Sequence, residues 1–378
     1  MKKGPGVRKS LVCGAAFAAA CVSAVAVPVG AHATAPTPPT PSVPAVAPSG
    51  EPVTPGTGSP STSSTSAPRG GTPGGSSGGP AGGQGAPDGE PDGTVTAQAV
   101  MVTPELPKFR TYAYGKAPLQ RLDAYWRDAG PRATPRPAVL ILHGGYWMGG
   151  DKGGGWKYFA RRLTEQGFVV LSANYRLAPK AQWPAQRDDS LSALAFIKKH
   201  ARLWNADPRR VAVLGSSAGG HLATQLGAFG TGGDQVRGVV ALSPPNDPFL
   251  AFQDGADPAA TLQQIKLRRA VTALVDCVPG SVTGVTGIAA DCLKRLDDAS
   301  TVTHASAGDA PMLLIHGSGD FVPVRQSTGL VSALRAAGVQ ATVKTVQGDL
   351  HAAQILEDER TFPMIVSWLK NHLKPRGQ

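Results

Sequence analysis

The chain has 378 residues, four cysteines and a formal net charge of +11. Its basic residues are scattered singly or in pairs, which predicts a solvated basic surface and argues against nucleic-acid binding. Proline, glycine, serine and threonine are concentrated in one stretch near the N-terminus, and this divides the chain into residues 1–33, 34–95 and 96–378.

Residues 1–33 have the pattern of an export signal. Four basic residues fall within the first nine, the stretch 11–29 is apolar, and small residues allow cleavage after Ala33. The apolar stretch is rich in alanine and interrupted by Pro28, so it is a poor membrane-spanning helix. The segment AAAC (18–21) lacks the leucine with which a lipoprotein cleavage motif usually begins. We therefore expect a secreted protein, either free or associated with the cell wall, with no lipid anchor and no stable membrane insertion after signal removal.

Residues 34–95 have the composition of a linker. Proline, glycine, serine and threonine fill 46 of these 62 positions, and the stretch contains no Phe, Trp, Tyr, Leu or Ile. Such a segment cannot bury enough apolar surface to offset the entropy of ordering, so we expect it to be disordered. The remaining residues 96–378 are sufficient for one domain with a substantial core.

The domain shows strands alternating with helices. Alternating patterns at 109–114 and 121–126 predict a β-hairpin. Apolar runs predict buried strands at 138–142 and 168–172. Further strands are predicted at 210–214, 236–242, 311–315 and 341–346. Helical spacing predicts helices over 156–166, 184–204, 219–229, 325–337 and 362–373. This order indicates an α/β fold with a mostly parallel central sheet and helices on both faces. The stretch 248–310 breaks the rhythm, and we expect a cap or lid over the strand ends.

Ligands of open α/β sheets bind at the carboxyl ends of the strands, and the candidate functional motifs fall at such ends. The segment GSSAGGHL (215–222) contains a G-x-S-x-G motif between a predicted strand and a predicted helix. A tight turn there exposes the hydroxyl of Ser217, and Gly215 and Gly219 provide the space that the turn needs. We predict Ser217 as a nucleophile, and we expect the side chain of the competing Ser216 to point away.

The segment HGGYWMGGDK (143–152) follows another strand and has the composition of an oxyanion loop. Acyl transfer passes through a tetrahedral oxyanion, which needs fixed backbone N–H donors, and glycine lets the backbone approach a substrate closely. The predicted donors are the amides of Gly144, Gly145 and Ala218. The remaining candidates in this loop are His143, which we expect to shape it, and Tyr146 and Trp147, which either line the acyl pocket or pack into the core.

A serine hydroxyl needs a base, and the base needs an orienting carboxylate. The chain order expected for this arrangement is serine, acid, histidine. His351 follows the strand 341–346 in a loop, and we predict it as the base. The other histidines after the nucleophile, which we expect to be structural, are His221, His304, His316 and His372.

Asp320 follows the strand 311–315 and is the predicted orienting acid. Asp247 is its rival, because it follows the strand immediately after the nucleophile helix. Asp349 is close to His351 in sequence, but its position predicts a turn former.

Two cysteines remain after signal removal. Cys13 and Cys21 leave with the signal, whereas Cys277 and Cys292 lie in the segment 248–310. An exported protein can keep a disulfide, so we predict a bond between Cys277 and Cys292, with two buried free thiols as the alternative.

These residues together resemble the α/β-hydrolase superfamily over most of 108–374. The segments HGGYW (143–147), NYRLAP (174–179), WPAQ (183–186) and GSSAGGHL (215–222) resemble hormone-sensitive-lipase-like carboxylesterases and the related bacterial feruloyl-esterase-like enzymes. Two positions depart from that group, since it usually has a glycine at Tyr146 and an aspartate at Ser216. The HGGYW form is also similar to kynurenine formamidases.

The resemblance implies a serine hydrolase that uses neither a metal nor an organic cofactor. We expect a secreted carboxylesterase that cleaves short-chain or aromatic acyl esters, small or polymer-linked, through an acyl-enzyme. An arylformamidase is the alternative within hydrolases, and export argues against it. The alternative of another class is a non-catalytic binding module on a hydrolase scaffold, against which the complete set of catalytic residues argues. The sequence indicates no oligomeric state.

Overall fold

The computed structural model describes residues 105–130, 133–279 and 286–375 of the chain. The predicted export signal (1–33) and the predicted linker (34–95) lie outside the described residues. Within the described ranges, no helix combines the length and the apolar character needed to span a membrane.

The centre of the domain is an eight-stranded sheet with the order β1-β2-β4-β3-β5-β6-β7-β8. The strands are β1 (Lys108–Ala113), β2 (Arg121–Trp126), β3 (Arg136–Leu142), β4 (Val169–Ala173), β5 (Ala206–Ser216), β6 (Val239–Leu242), β7 (Met312–Gly317) and β8 (Ala341–Val346). β1 and β2 form the predicted antiparallel hairpin, and β2 also pairs antiparallel with β4. All other neighbours are parallel, so the predicted mostly parallel sheet is confirmed.

Helices cover both faces of this sheet. They are α1 (Trp156–Glu165), α2 (Ala185–His200), α3 (Ala218–Ala228), α4 (Gly232–Gln235), α5 (Pro248–Asp254), α6 (Leu262–Val275), α7 (Thr286–Ala299), α8 (Arg325–Ala336) and α9 (Thr361–His372). Side chains alternate along β3, so that Leu140 and Leu142 face a core formed with α2, α3, α6 and α8. Val139 and Ile141 face the opposite core, formed with α1 and α9. Each face of the sheet therefore has its own apolar layer, as expected for strands that are apolar throughout.

The described parts of the insertion, 248–279 and 286–310, contain three α-helices where the sequence patterns predicted no regular element. α5 begins after Asp247, whose side chain accepts a hydrogen bond from the Leu250 N–H, and α6 begins with a capping box formed by Thr261 and Gln264. Apolar residues of α6 join the core that also contains Trp147 and Trp183. We call residues 248–310 the cap insertion.

The structure joins the two predicted cysteines in a disulfide within the cap insertion. Cys277 follows α6, Cys292 lies on α7, and their Cα atoms are 5.9 Å apart. The bond therefore links the two longer helices of the insertion.

Candidate active site

Ser217 occupies the turn between β5 and α3, with φ +52° and ψ −120°. A positive φ is uncommon for a residue with a side chain, and it persists only where neighbouring structure enforces it. Here the Ser217 N–H donates to the Leu242 carbonyl oxygen at 2.7 Å. The side chain lies at the carboxyl edge of the parallel strands, and the residue is 7% exposed. Ser216 is the last residue of β5 and is also buried.

Two glycines allow the nucleophile turn to pack tightly. A Cβ atom on Gly215 would overlap the carbonyl oxygen of Gly219. A Cβ atom on Gly219 would overlap the carbonyl oxygens of Leu142 and His143. The turn therefore packs directly against the end of β3, where the predicted oxyanion loop begins.

The side chains of Ser217, His351 and Asp320 form one hydrogen-bonded chain. His351 Nε2 is 3.0 Å from Ser217 Oγ, and His351 Nδ1 is 2.8 Å from Asp320 Oδ1. An ionised carboxylate only accepts hydrogen bonds, so Nδ1 carries the ring proton and Nε2 presents its lone pair to the hydroxyl. The Asp320 side chain is fully buried, and its Oδ1 also accepts from the Val322 N–H at 3.0 Å. This arrangement allows the ring to remove a proton from Ser217.

Backbone and side-chain bonds fix the loop that carries His351. The His351 N–H donates to Gln354 Oε1 at 3.1 Å, and the next N–H, of Ala352, donates to Ser243 Oγ at 2.8 Å. The Gly348 N–H donates to Ser318 Oγ at 3.0 Å, which ties this loop to the loop that carries the acid. Sequence reasoning missed Ser243 and Gln354. Ser243 follows a buried strand and Gln354 has capping-box spacing, so both carried a usable signal.

The predicted oxyanion loop lies beside the nucleophile. A Cβ atom on Gly144 would be 3.1 Å from the Ser217 Cβ atom. Ala218 is the first residue of α3, where amides have no acceptor within the helix. In the described part of the chain, the N–H groups of Gly144, Gly145 and Ala218 donate to no acceptor. These three amides are therefore free to donate to a bound group, and Gly144 and Ala218 lie directly beside Ser217.

His143 makes hydrogen bonds to Gly144 and Tyr175. Its Nδ1 donates to the Gly144 carbonyl oxygen at 2.8 Å, and its own carbonyl oxygen accepts from the Tyr175 hydroxyl at 2.7 Å. The ring is buried and stacked on Tyr175 with a centroid distance of 4.4 Å, and burial lowers its pKa. The contacts of His143 thus shape the loop and do not include Ser217.

The structure separates the two candidate pocket residues. Trp147 is fully buried, and its indole N–H donates to His221 Nδ1 at 3.2 Å, so the pocket-lining hypothesis for Trp147 is wrong and the packing alternative holds. A buried indole N–H needs an acceptor, and His221 Nδ1 supplies one for Trp147. Tyr146 is only partly buried, and its ring stacks on Phe321 with a centroid distance of 6.2 Å. Burial and the negative charge of Asp320 raise the pKa of the Tyr146 hydroxyl.

We call the stacked rings of Tyr146 and Phe321 the aromatic wall, and Lys266 contacts it. Sequence reasoning missed Phe321 and Lys266. The Phe321 ring lies 4.2 Å from the His351 ring, and Lys266 Nζ of α6 lies 4.7 Å from the centre of the Tyr146 ring. Phe321 directly follows the predicted acid, which placed it near the site. Lys266 lies in the cap insertion, and no sequence signal connected it to the site.

The rival acids and bases have other partners. Asp247 caps α5, and the ring of His221 is occupied on both nitrogens. His316 donates from Nδ1 to the Val322 carbonyl oxygen at 3.0 Å and accepts at Nε2 from the Ser327 hydroxyl at 2.7 Å. Among the described residues, no hydrogen bond joins Ser217 or His351 to the remaining candidates His304, His372 and Asp349.

The described ranges show no cluster of likely metal ligands. No group of three or more His, Cys, Asp or Glu side chains within them is placed to hold a metal ion.

Comparison with known proteins places the chain in a family. The BD-FAE family model matches residues 122–334, which is more than half of the chain. A probable carboxylic ester hydrolase of Mycobacterium tuberculosis, LipM, is 31% identical over 61% of this chain and 52% of its own length. The esterase LipC of the same organism is 30% identical over 67% of this chain and 62% of its own length. The chain thus spans between half and two thirds of these relatives.

Solved structures give the fold independently. The carboxylesterase EstE1, cloned from a metagenomic library, superposes with a TM-score of 0.59 at 21% identity, over 72% of this chain and 92% of EstE1. Esterase B from Lactobacillus rhamnosis superposes with a TM-score of 0.57 at 23% identity, over 72% of this chain and 86% of that protein. At these identities the likeness shows the fold alone. The chain therefore has the α/β-hydrolase fold, and it belongs to the BD-FAE family.

Proposed function

We propose that this protein is a secreted serine carboxylesterase that works through an acyl-enzyme. The observation that carries the proposal is the hydrogen-bonded chain from Ser217 Oγ through His351 to the buried Asp320. Membership of the BD-FAE family supports it, as do relatives that are named as carboxylic ester hydrolase and esterase.

Acylation uses the groups already in place. His351 Nε2 removes the hydroxyl proton as Ser217 Oγ attacks the ester carbonyl carbon, and the carbonyl electron pair moves onto oxygen. The amides of Gly144, Gly145 and Ala218 would stabilise that oxyanion, while the carboxylate of Asp320 stabilises the imidazolium. When the carbonyl re-forms, the ester C–O bond breaks and the proton on Nε2 passes to the leaving alcohol oxygen.

Deacylation repeats the same steps with water. His351 Nε2 removes a proton from a water molecule that attacks the acyl carbon, and the same amides stabilise the second oxyanion. Collapse of this intermediate releases the carboxylic acid, and the proton returns to Ser217 Oγ. The enzyme is regenerated without any cofactor.

The aromatic wall supports a short-chain or aromatic acyl group as substrate. Tyr146 and Phe321 present stacked rings between the oxyanion loop and His351, and a planar acyl group can pack on such a face. The export pattern of residues 1–33 supports secretion, and the Cys277–Cys292 disulfide fits an oxidising compartment. The predicted linker would then give the domain reach toward a cell wall or a polymer-linked ester.

The test compares kcat/KM of the secreted protein for p-nitrophenyl acetate, butyrate and palmitate, methyl ferulate and N-formylkynurenine. We expect one of the short-chain or feruloyl esters to be the best substrate. Faster turnover of palmitate than butyrate would reject the short-chain proposal, and preference for N-formylkynurenine would identify an arylformamidase.

A fluorophosphonate probe separates an enzyme from a binding module. We expect the probe to label the wild-type protein and the Ser216→Ala variant, and to leave Ser217→Ala unlabelled. A wild-type protein that neither reacts with the probe nor hydrolyses any member of the panel would be a binding module.

A further inference from the structure

His221 joins the three segments that surround the nucleophile. It lies on α3, one helical turn after Ser217, and is fully buried. The Trp147 indole N–H donates to its Nδ1 at 3.2 Å, and its Nε2 lies 2.6 Å from the Ala299 carbonyl oxygen. Trp147 belongs to the oxyanion loop, and Ala299 is the last residue of α7 in the cap insertion. One ring therefore connects the oxyanion loop, the nucleophile helix and the cap insertion.

The two partners fix the protonation of this ring. An indole N–H can only donate and a carbonyl oxygen can only accept, so His221 is neutral with its proton on Nε2. A second proton would have to sit on Nδ1, where it would face the Trp147 N–H. Arg187 of α2 and the titratable ring of His304 lie near His221, and both oppose a further positive charge on it. Asp298 pairs with Arg187 at 2.9 Å.

The loop segment held by this bond has an unusual backbone. Tyr146 and Trp147 are consecutive non-glycine residues with φ of +58° and +57°. Such conformations persist only where surrounding structure enforces them. They directly follow Gly144 and Gly145, whose amides the proposed mechanism requires at fixed positions. The indole bond to His221 is therefore placed to hold those amides in register with Ser217.

The Ala299 carbonyl oxygen, to which His221 Nε2 donates, is also held by other contacts. Gln225 Nε2 also donates to the Ala299 carbonyl oxygen, at 2.9 Å. The neighbouring Asp298 accepts from the Trp183 indole N–H at 2.7 Å. The carbonyl that accepts from His221 is thus part of a rigid cluster, and movement of the ring away from it is opposed.

We propose that His221 is a positioning residue of the oxyanion hole. By bonding to both Trp147 and Ala299 of the cap insertion, His221 holds the loop 144–147 against α3. The proposal rests on the proposed esterase function. It assigns no contact with substrate to His221, so the residue should affect the oxyanion and leave ground-state binding largely unchanged.

The principal variant is His221→Leu, which keeps an apolar side chain of similar size and removes both hydrogen bonds. We expect kcat per active site, counted with a fluorophosphonate, to fall about 10- to 100-fold, as for a small misplacement of catalytic groups. We expect KM to change by less than about threefold. His221→Gln offers an acceptor and a donor and should recover part of kcat. Counting active sites separates this effect from a loss of folded protein.

A matched pair of tryptophan variants tests the indole bond. Trp147→Phe removes the donor and should lower kcat per site about tenfold, and combining it with His221→Leu should cost no more than His221→Leu alone. Trp204 is also fully buried, and its indole N–H has no partner among the described residues. Trp204→Phe therefore loses similar packing, and we expect its kcat per site to stay at the wild-type value.

The outcomes distinguish this proposal from the esterase proposal. Wild-type kcat per site in His221→Leu, additive effects of the two variants, or an equal loss in Trp204→Phe would each overturn the role of His221. A wild-type protein without esterase activity or probe labelling would overturn the proposed function instead. In that case hydrogen exchange of the Trp147 indole N–H still reports on the bond, and faster exchange in His221→Leu is the result that the structure requires.

Discussion

Acidification from pH 7.5 to pH 5 should destabilise the protein through two buried histidines. Burial lowers the pKa of His221 and of His316 to about 4 in the folded chain, whereas an unfolded histidine titrates near pH 6.5. Between these values the unfolded chain binds more protons, so stability that is present above about pH 6.5 is lost as the pH falls. The expected loss at pH 5 is about 2 kcal/mol for each histidine and about 4 kcal/mol for both.

The contacts explain why neither ring accepts a proton readily. His221 accepts from Trp147 at Nδ1, and His316 accepts from the Ser327 hydroxyl at Nε2, so a second proton would break a buried hydrogen bond. Burial also lowers the pKa of His143, which adds to the loss. Burial raises the pKa of Asp309, which acts in the opposite direction.

Urea unfolding at pH 7.5, 6 and 5 measures this effect directly. The free energy of unfolding of the wild-type protein should fall by about 4 kcal/mol across the range. His221→Gln and His316→Gln should each remove about half of the slope, even where the substitution lowers stability at pH 7.5. Equal free energies of unfolding at pH 7.5 and pH 5, or wild-type slopes in both variants, would refute the reasoning.

Three further predictions concern the acid, the disulfide and the aromatic wall. Asp320→Asn should lower kcat about 10³- to 10⁴-fold, whereas Asp247→Asn should keep both activity and the helix cap, since asparagine caps equally well; similar kinetics for the two variants would reject Asp320 as the acid. Replacing Cys277 and Cys292 by serine should lower the free energy of unfolding by about 3 kcal/mol, measured in urea, and two free thiols in the secreted wild-type protein would contradict the bond. Tyr146→Ala should raise KM for methyl ferulate roughly tenfold more than KM for p-nitrophenyl acetate; equal changes would remove Tyr146 from the pocket.

The positions of Ser217, Asp320 and His351 could be predicted because each follows a recognisable apolar strand. Parallel strands bring their carboxyl ends to one edge of the sheet, so separate loops converge even though Ser217 and His351 are 134 residues apart. The strand pattern thus predicted the fold class, and together with the G-x-S-x-G motif and the serine–acid–histidine order it predicted the convergence of the three side chains.

The direction of individual side chains could not be predicted in the same way. Tyr146 and Trp147 are adjacent, aromatic and similar in backbone conformation, yet Tyr146 is only partly buried and stacks on Phe321, whereas Trp147 is fully buried. The difference depends on His221, which offers a buried acceptor only after α3 has packed beside the loop. Lys266 was missed for a related reason, because its position depends on how the cap insertion folds back on the sheet.

His351 follows β8, which lies at one edge of the sheet, and this affects how the site would lose activity. β8 is hydrogen-bonded to the sheet on one side only, through β7, and most of its residues are not fully buried. Ser217 follows β5, which is bonded on both sides. Fraying at the sheet margin would therefore withdraw the base while the nucleophile turn stays intact. Such local opening would end catalysis before the domain as a whole unfolds.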